Sequence, residues 1–308
     1  MAFTAADVKK LREMTNVGMM DCKKALTEAD GDMEKAIDIL REKGLATAAK
    51  KASRIAAEGA VATYNDKAAK VAAAIELNCE TDFVGKNPEF IALANAIAKT
   101  AALTNPADVD DLLTKTIADG TDTVADAIQN LFLKIRENMK LRRFVRIEGV
   151  CETYIHAGGT VGVIVEFDAD DDVAAKDGFT AMGKDVAMQI AAMSPAYLDE
   201  ASVPADVIEH EKGILIAQMK EDPKMANKPE AVLGKIVEGK IGKYYKENCL
   251  VEQAFVMDGD ISVGKYVANT AKELGADIKI ASFVRYEKGE GIEKRVDDFA
   301  AEVAAMAK

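Results

Sequence analysis

The chain carries the stretch Glu58-Gly59-Ala60-Val61-Ala62-Thr63-Tyr64 and repeats its pattern as Glu148-Gly149-Val150-Cys151-Glu152-Thr153-Tyr154. A turn signal follows in both copies, Asn65-Asp66 in the first and Gly158-Gly159 in the second. Glycine and asparagine favour the tight turns that join the two strands of a β-hairpin. The repeat therefore predicts two β-hairpins of the same design.

A second strand and a helix follow each stretch. Apolar residues at alternate positions of 71–77 are typical of a half-buried strand, and the run 161–167 lies opposite it in the second copy. Mostly apolar helical patterns then follow at 88–102 and 179–193. Each copy is thus a hairpin followed by a helix, and the sequence predicts an α+β fold with two such subdomains side by side.

Three short helical patterns precede the repeat. Asn16-Val17-Gly18 separates the first two, and Asp30-Gly31-Asp32 ends the second and caps the third. An alanine-rich basic stretch at 46–54 is predicted to be a linker, so that a compact three-helix module with its linker occupies 1–54. Gly18-Met19 is predicted to lie on a loop, where methionine serves either an adaptable binding surface or partly buried packing.

The segment 204–248 interrupts the second copy with two amphipathic helical patterns. We predict a projecting helical hairpin whose apolar stripes meet either another subunit or partner, or the body of the same chain. Strand patterns at 254–258 and 278–286 then complete the second sheet, and a helix at 292–306 closes the chain. The predicted domains are 1–54, 55–149, 150–203 with 249–285, the inserted 204–248, and a C-terminal helical module at 286–308.

The first copy places a large ring beside a carboxylate at the corner between its second strand and its helix, in the run Thr81-Asp82-Phe83-Val84. Such a pair suits insertion into another protein, whereas the alternative is a core phenylalanine next to an ordinary helix cap. At the same corner the second copy is predicted to have Asp171-Asp172-Val173. A fold that needed a ring there would use one in both copies, so the difference favours a surface role for Phe83.

Composition limits the classes of function. The 308-residue chain has 49% hydrophobic and 30% charged residues, which is typical of a soluble globular protein. Its formal net charge of −12 argues against direct nucleic-acid binding, because Lys and Arg supply most of that affinity. No apolar run is long enough to span a membrane, and the N-terminus lacks an export pattern. Four scattered cysteines are expected to be reduced thiols in a cytoplasmic protein.

Four conventional signals of an active site are incomplete in this sequence. The run 178–185 mimics a phosphate-binding loop, but Asp185 replaces the hydroxyl that would hold Mg²⁺. The run 168–172 resembles a calcium loop without its turn glycine and bidentate glutamate. His156 and His210 have no ligand partners at metal-binding spacing, and the many carboxylates indicate no particular acid–base pair. We therefore expect no catalytic residues, no metal and no cofactor.

Five runs of the sequence together resemble one known family. They are 11–26, 76–86, 137–143, 255–257 and 289–294. The first two are similar to the two signatures of bacterial translation elongation factor Ts, and they occur in the same order. The similarity extends over essentially the whole chain. One departure is Gly85, where that family usually has Ser or Ala, and it predicts a looser backbone at the corner.

The resemblance implies a nucleotide-exchange factor, not an enzyme, that binds the GTPase elongation factor Tu in its GDP-bound and nucleotide-free forms. The corner that matches Asp82-Phe83 would enter the GTPase near its Mg²⁺ and nucleotide, so that GDP leaves. A non-catalytic helical adaptor that acts through its N-terminal module and hairpin alone is the alternative. Such an adaptor would not need Phe83.

The same resemblance assigns the remaining contacts. The N-terminal module would be UBA-like, and the inserted hairpin would form a homodimer or lean on a second complex. The residues expected at the interface are Thr81, Asp82, Phe83 and Val84 in the wedge, Ile135 and His156 as its supports, and Met19 and Met20 on the N-terminal contact surface.

Overall fold

The structure is a computed structural model that describes residues 3–15, 17–51, 53–221 and 229–293. Within these residues, an N-terminal group of helices precedes a core of two three-stranded sheets flanked by helices. This arrangement confirms the predicted α+β class. The helix predicted at 292–306 lies outside the described residues after position 293, and the domain limits remain a prediction.

The N-terminal module consists of α1 (Ala5–Thr15), α2 (Met19–Glu28) and α3 (Met33–Lys51). Its shared buried side chains include Leu11, Val17, Cys22, Leu26, Ala36 and Leu40. Two sequence predictions are wrong here. Met19 is the first residue of α2 rather than part of a loop, and α3 continues through most of the predicted linker. The linker is helical because Ala and Lys, which dominate it, are strong helix formers.

The first copy of the repeat contains seven elements. They are β1 (Glu58–Asp66), β2 (Val71–Cys79), α4 (Asp82–Gly85), α5 (Pro88–Thr104), α6 (Val109–Thr114), α7 (Val124–Ile135) and β3 (Met139–Glu148). The strands form an antiparallel sheet in the order β1-β2-β3. The turn lies at 67–70, after the predicted Asn65-Asp66, because the Asp66 carboxylate caps it by accepting from Ala69 N at 2.9 Å.

Strand β2 is buried along its whole length, so the prediction of a half-buried strand is wrong. Its odd-numbered residues, such as Ile75, pack against α5. On the opposite face Ala72 and Ala74 pack against Cys151 and Ile164 of the second sheet. Small alanine side chains let the two sheets approach closely, and the same alanines make the strand look only half apolar in sequence.

The second copy begins with β4 (Val150–His156), β5 (Val161–Asp168), α8 (Asp171–Ala174) and α9 (Asp177–Met193). The later elements are α10 (Ala205–Glu221), α11 (Glu230–Asn248), β6 (Ala254–Phe255), β7 (Asp258–Ser262), α12 (Val263–Leu274) and β8 (Lys279–Glu287). The second sheet has the order β4-β5-β8 and is antiparallel. Strand β8 thus completes this sheet as predicted.

The other strand predicted to complete the second sheet does not join it. Strand β6 is only two residues long and pairs with β7 in a separate two-stranded sheet. The side chain of Gln189, which is buried in α9, explains the difference. It accepts from Val256 N at 2.7 Å and donates to Ala254 O at 3.1 Å, so a side-chain amide takes the place of a neighbouring strand.

The inserted hairpin of α10 and α11 buries most of its apolar stripes against each other. Its buried residues are Ile208, Leu215, Met219, Val237 and Ile241, and Val203 and Cys249 at the base extend the same cluster. Ile214, Ile216 and Val232 keep between 38% and 42% of their surface exposed. The stripes therefore do not need a second subunit to be covered, and self-association through 204–248 remains a prediction.

Replacing 204–248 with a short Gly-Ser linker is expected to preserve a cooperative thermal transition. The hairpin cluster is separate from the two sheet cores, and the end of the hairpin lies beside the chain that leads into it, since Tyr197 N donates to Asn248 O at 3.1 Å. Any self-association should shift towards monomer, measured by sedimentation across a concentration series. Loss of the cooperative transition would contradict the independence of the core, and unchanged masses would contradict a role of the hairpin in association.

Candidate functional site

The corner that carries the aromatic ring lies between β2 and α4. Thr81 is the N-cap of this one-turn helix, and its hydroxyl accepts a hydrogen bond from Val84 N at 3.4 Å. Val84 and Gly85 are buried, but the side chain of Phe83 is 83% exposed. The alternative of a core phenylalanine therefore does not hold. Val84 anchors the turn on the core, and Phe83 points away from it into solvent.

Helix α8 is the counterpart of α4 in the second copy, and it corrects the sequence alignment by one position. The N-cap of α8 is Asp170, which makes Asp172 the counterpart of Phe83. The buried Val173 corresponds instead to Val84. The sequence pattern does not show this because β2 is one residue longer than β5, while two residues separate strand from helix in both copies. The corrected pairing shows that both copies keep a buried valine and expose the preceding residue.

Asp82 supplies a fixed negative charge beside the ring. Its carboxylate accepts a hydrogen bond from Lys86 Nζ at 2.7 Å, one helical turn later. This hydrogen bond outweighs the opposing effect of burial and holds the pKa of the Asp82 carboxyl below its ordinary value. The corner therefore presents an apolar ring and an ionised carboxylate together at neutral pH.

Gly85 makes the corner tight rather than loose. A Cβ at this position would lie 2.9 Å from the carbonyl oxygen of Gly59 at the start of β1. Gly59 itself has φ of +127°, a conformation that favours glycine. The two backbones thus approach at a distance that only glycine tolerates here without a shift. The predicted loosening at Gly85 is wrong for this reason.

The turn after α7 holds the corner from the side. Glu137 accepts two hydrogen bonds from Thr81, from its backbone N at 3.0 Å and its hydroxyl at 2.7 Å. The preceding Arg136 adopts a left-handed conformation with φ of 66° and donates to the Asp21 carboxylate of α2 at 3.0 Å. Ile135, at the end of α7, is half-buried against the first sheet core. One short turn therefore contacts both the corner and the N-terminal module.

Met19 and Met20 lie on the surface of the first turn of α2, beside Asp21. They are 49% and 63% exposed, so neither belongs to the buried core, and both alternatives for Met19 stay open. The ion pair between Asp21 and Arg136 places them near the turn that holds the corner. Residues far apart in sequence are thereby brought to one side of the molecule.

His156 ends β4 next to the hairpin turn at 157–160, and its ring Nδ1 lies 3.0 Å from the hydroxyl of Tyr154. This turn packs against β1, since Val61 N donates to Gly159 O at 2.8 Å. The start of β1 also contacts Gly85. The turn beside His156 and the corner of α4 therefore lie at the same end of the first sheet.

Known proteins match this chain over most of its length. A family model described as elongation factor TS matches residues 80–290. A protein named elongation factor Ts from Clostridium botulinum (strain 657 / Type Ba4) is 51% identical over 304 residues, covering 97% of each chain. The chain belongs to the elongation factor Ts family. Proteins of that name from C. botulinum (strain Loch Maree / Type A3) and C. kluyveri (strain NBRC 12016) are 50% and 48% identical, again over 97% of each chain.

Glu76 is a structural residue that the sequence analysis of this elongation factor Ts family member did not single out. Its side chain is fully buried in β2, on the face towards the second sheet. Arg143 Nε donates to it at 2.6 Å, Gly289 N at 2.7 Å, and Arg142 and Asn78 at 3.0 Å. An acidic residue within an apolar strand was the available signal, since a buried charge requires partners.

The incomplete active-site signals have structural explanations in this fold. The run 178–185 is part of α9, where Phe179 and Met182 are fully buried. Asp185 accepts a hydrogen bond from the Tyr266 hydroxyl at 2.7 Å instead of facing a phosphate. Within the ranges that the structure describes, no group of three His, Cys, Asp or Glu side chains could hold a metal ion.

All four cysteines are buried and unpaired with one another. Burial raises the pKa of Cys79 and of Cys151 to about 12, and that of Cys249 to about 11. Thiols with such pKa values are poor nucleophiles at neutral pH. In the described part of the chain, every helix falls short of the length and apolarity needed to cross a membrane.

Proposed function

We propose that this elongation factor Ts family member is a cytoplasmic nucleotide-exchange factor for the GTPase elongation factor Tu. In this proposal the corner of α4 inserts Asp82 and Phe83 next to the Mg²⁺ and nucleotide of the GTPase, and GDP leaves. The observation that carries the proposal is the 83% exposure of Phe83 on a turn whose next two residues are buried and whose N-cap, Thr81, is hydrogen-bonded to Glu137. An apolar ring that a rigid turn holds in water has an unfavourable free energy of hydration, and binding to a partner removes it.

The energy available from the ring is adequate for such a task. Burying a phenylalanine side chain in a partner's pocket contributes roughly 1.5 to 3 kcal/mol. An exchange factor needs no covalent step, because it only has to favour a form of the GTPase that holds the nucleotide poorly. Asp82 adds a negative charge near a site whose stability depends on the balance between a metal ion and phosphates.

Binding of the factor and binding of the nucleotide must then oppose each other by equal factors. If this chain lowers the affinity of the GTPase for GDP, GDP lowers the affinity of the GTPase for this chain to the same extent. The proposed complex is therefore tightest with the nucleotide-free GTPase. The high negative charge of the chain also favours a protein partner over direct contact with nucleic acid.

The remaining predicted contacts form part of the same proposal. Ile135 and His156 would support the wedge from the end of α7 and from the end of β4. Met19 and Met20, exposed on α2, would contribute an adaptable apolar surface. A homodimer or a second contact through 204–248 completes the proposed set of interactions.

Release of a fluorescent GDP analogue from elongation factor Tu, with and without this chain, tests the proposal. We expect the chain to accelerate release in a concentration-dependent and saturable manner. A chain that binds the GTPase without changing the release rate would be a helical adaptor, which is the second candidate function. Direct titration of the isolated chain with GDP and GTP serves as a control, and binding there would contradict the proposal that the nucleotide site belongs to the partner.

Removal of residues 1–54 is expected to leave a folded remainder that binds the GTPase markedly less tightly. The module has its own core, but it also packs on α7. Leu133 of α7 joins the buried cluster of the module, and Arg41 Nη2 lies 3.5 Å from Asp126 Oδ1. The truncation therefore exposes Leu133 without opening the two sheet cores. Calorimetric titration of both chains measures the effect, with circular dichroism as the folding control. Equal affinities would show that the module takes no part in binding.

A further inference from the structure

The proposed wedge is anchored by a second segment of the chain that no comparison assigns to a function. Residues 80–81 lie before α4, and residues 137–138 form the turn after α7. Thr81 N donates to the Glu137 carboxylate at 3.0 Å, and Asn138 N donates to the Glu80 carboxylate at 2.7 Å. Each segment thus gives one backbone N–H and one carboxylate to the other. We call this reciprocal arrangement the clasp.

Glu137 has the central part in the clasp. Its two carboxylate oxygens accept separately from the backbone N and the hydroxyl of Thr81. The same hydroxyl accepts from Val84 N, so it connects Glu137 to the backbone of the one-turn helix that carries Phe83. Hydrogen bonds to a charged acceptor are stronger than neutral ones and are directional. Glu137 therefore restricts the orientation of the whole corner.

The second copy of the repeat provides an internal comparison. Helix α8 corresponds to α4, but within the described residues its N-cap, Asp170, makes no side-chain hydrogen bond to the helix. The residue exposed at the position of Phe83 is Asp172, a small charged side chain that is stable in water. The more extensive anchoring thus occurs at the corner that exposes a large ring. A structural need common to both copies does not account for it.

The clasp also lies next to the N-terminal module. Arg136 precedes Glu137 and donates to Asp21 of α2 at 3.0 Å, and its carbonyl oxygen accepts from Lys51 Nζ of α3. Arg54, which follows α3, donates to the Glu80 carboxylate at 3.2 Å. Contacts with residues of 1–54 therefore hold both segments of the clasp, one at Glu80 and the other at Arg136. This makes the clasp a rigid support rather than a mobile loop.

We propose that Glu137 is a positioning residue that holds the corner of α4 in the orientation in which Phe83 and Asp82 enter the partner. The expected effect on the rate of nucleotide release rests on the proposed function. The expected effect on the orientation of the corner concerns the free chain alone. Glu137 acts through Thr81 and need not touch the partner. Losing it should make the corner adopt several orientations, so that fewer bound complexes lead to nucleotide release.

Glu137→Ala is the direct test, and Glu148→Ala is its matched control. Glu148 lies at the far end of β3 and is 69% exposed, with Arg146 as its ion-pair partner. For Glu137→Ala we expect the maximal rate of nucleotide release to fall about tenfold, while the half-saturating concentration changes less than about threefold. Glu148→Ala should leave both values as in the wild type. An equal loss in both variants, or no loss in either, would overturn the proposal.

Hydrogen exchange in the free chain separates this inference from the proposed function. Glu137→Ala should accelerate exchange of the Thr81 amide at least about tenfold, because that amide loses its acceptor, while amides in the centre of β2 stay protected. Unchanged protection at Thr81 would overturn the positioning role whatever the kinetic result. If the wild-type chain does not accelerate nucleotide release from the GTPase, the proposed function is rejected. The hydrogen-exchange measurement on the free chain then still decides whether Glu137 holds the corner.

Variants of Thr81 give a second kinetic readout. Thr81→Val removes the hydroxyl with little change in volume and should by itself slow release. If Glu137 acts through this hydroxyl, Thr81→Val should slow release further by less than about twofold when Glu137→Ala is already present. Fully multiplicative effects of the two substitutions would contradict the proposed connection.

Discussion

Phe83→Ala is expected to slow the maximal release of nucleotide from the GTPase by about 30-fold while leaving the stability of the chain nearly unchanged. A central aromatic anchor contributes about 2 kcal/mol or more to an interface, which corresponds to that factor. The free energy of unfolding should change by less than about 0.5 kcal/mol, because a side chain that is 83% exposed loses little contact when it is truncated. Stopped-flow release kinetics and denaturant titration measure the two effects.

Two controls make this result interpretable. Leu103→Ala removes a different large apolar side chain, 49% exposed at the end of α5, and should alter neither release nor stability appreciably. Val84→Ala removes the buried anchor of the same turn and should cost about 1 to 2 kcal/mol of stability. Normal release by a folded Phe83→Ala chain would reject the wedge. A large loss of stability in that variant would indicate that the ring packs on the core after all.

Local sequence patterns predict the hairpins, the helices after them and the place of the corner. Turn residues, alternating apolar residues and helical periodicity are properties of neighbouring positions, and the two copies of the repeat reinforce each other. The exposure of Phe83 was also accessible, because the second copy provides a counterpart without a ring. Even the error of one position in that comparison did not change its conclusion.

Features that depend on distant residues were not predictable from these patterns. Ala72 and Ala74 are buried because the second sheet packs on them, and no local sequence pattern predicts that packing. Strand β3 was not predicted, since its arginines and lysine interrupt the apolar alternation. The contact between Glu137 and Thr81 spans 56 positions, and an isolated glutamate after a helix has no distinctive sequence signal.

Glu76→Ala is expected to have the largest effect on stability, about 3 kcal/mol. Removing one member of a buried ionic group leaves its partners without compensation, which costs 3 to 5 kcal/mol when they are fully buried. Arg142 and Arg143 keep 27% and 29% of their side-chain surface exposed and regain some hydration, so the lower end of that range applies. Glu290→Ala is the matched control, because it removes the other carboxylate bonded to Arg143. The side chain of Glu290 is 52% exposed. It should cost less than about 1 kcal/mol.

The dependence of stability on pH isolates the charge of Glu76 from its packing. Burial alone would raise the pKa of this carboxyl, but hydrogen bonds from Gly289 N, Asn78 and the two arginines outweigh it, and the pKa lies below the ordinary value of 4.5. Its contribution is therefore present above pH 4.5 and is lost as the pH falls through the lower pKa of the folded chain. Glu76→Gln should lower stability at neutral pH and flatten its decline in acid, measured by urea titration at each pH. An acid limb as steep as that of the wild type would mean that other carboxylates determine it.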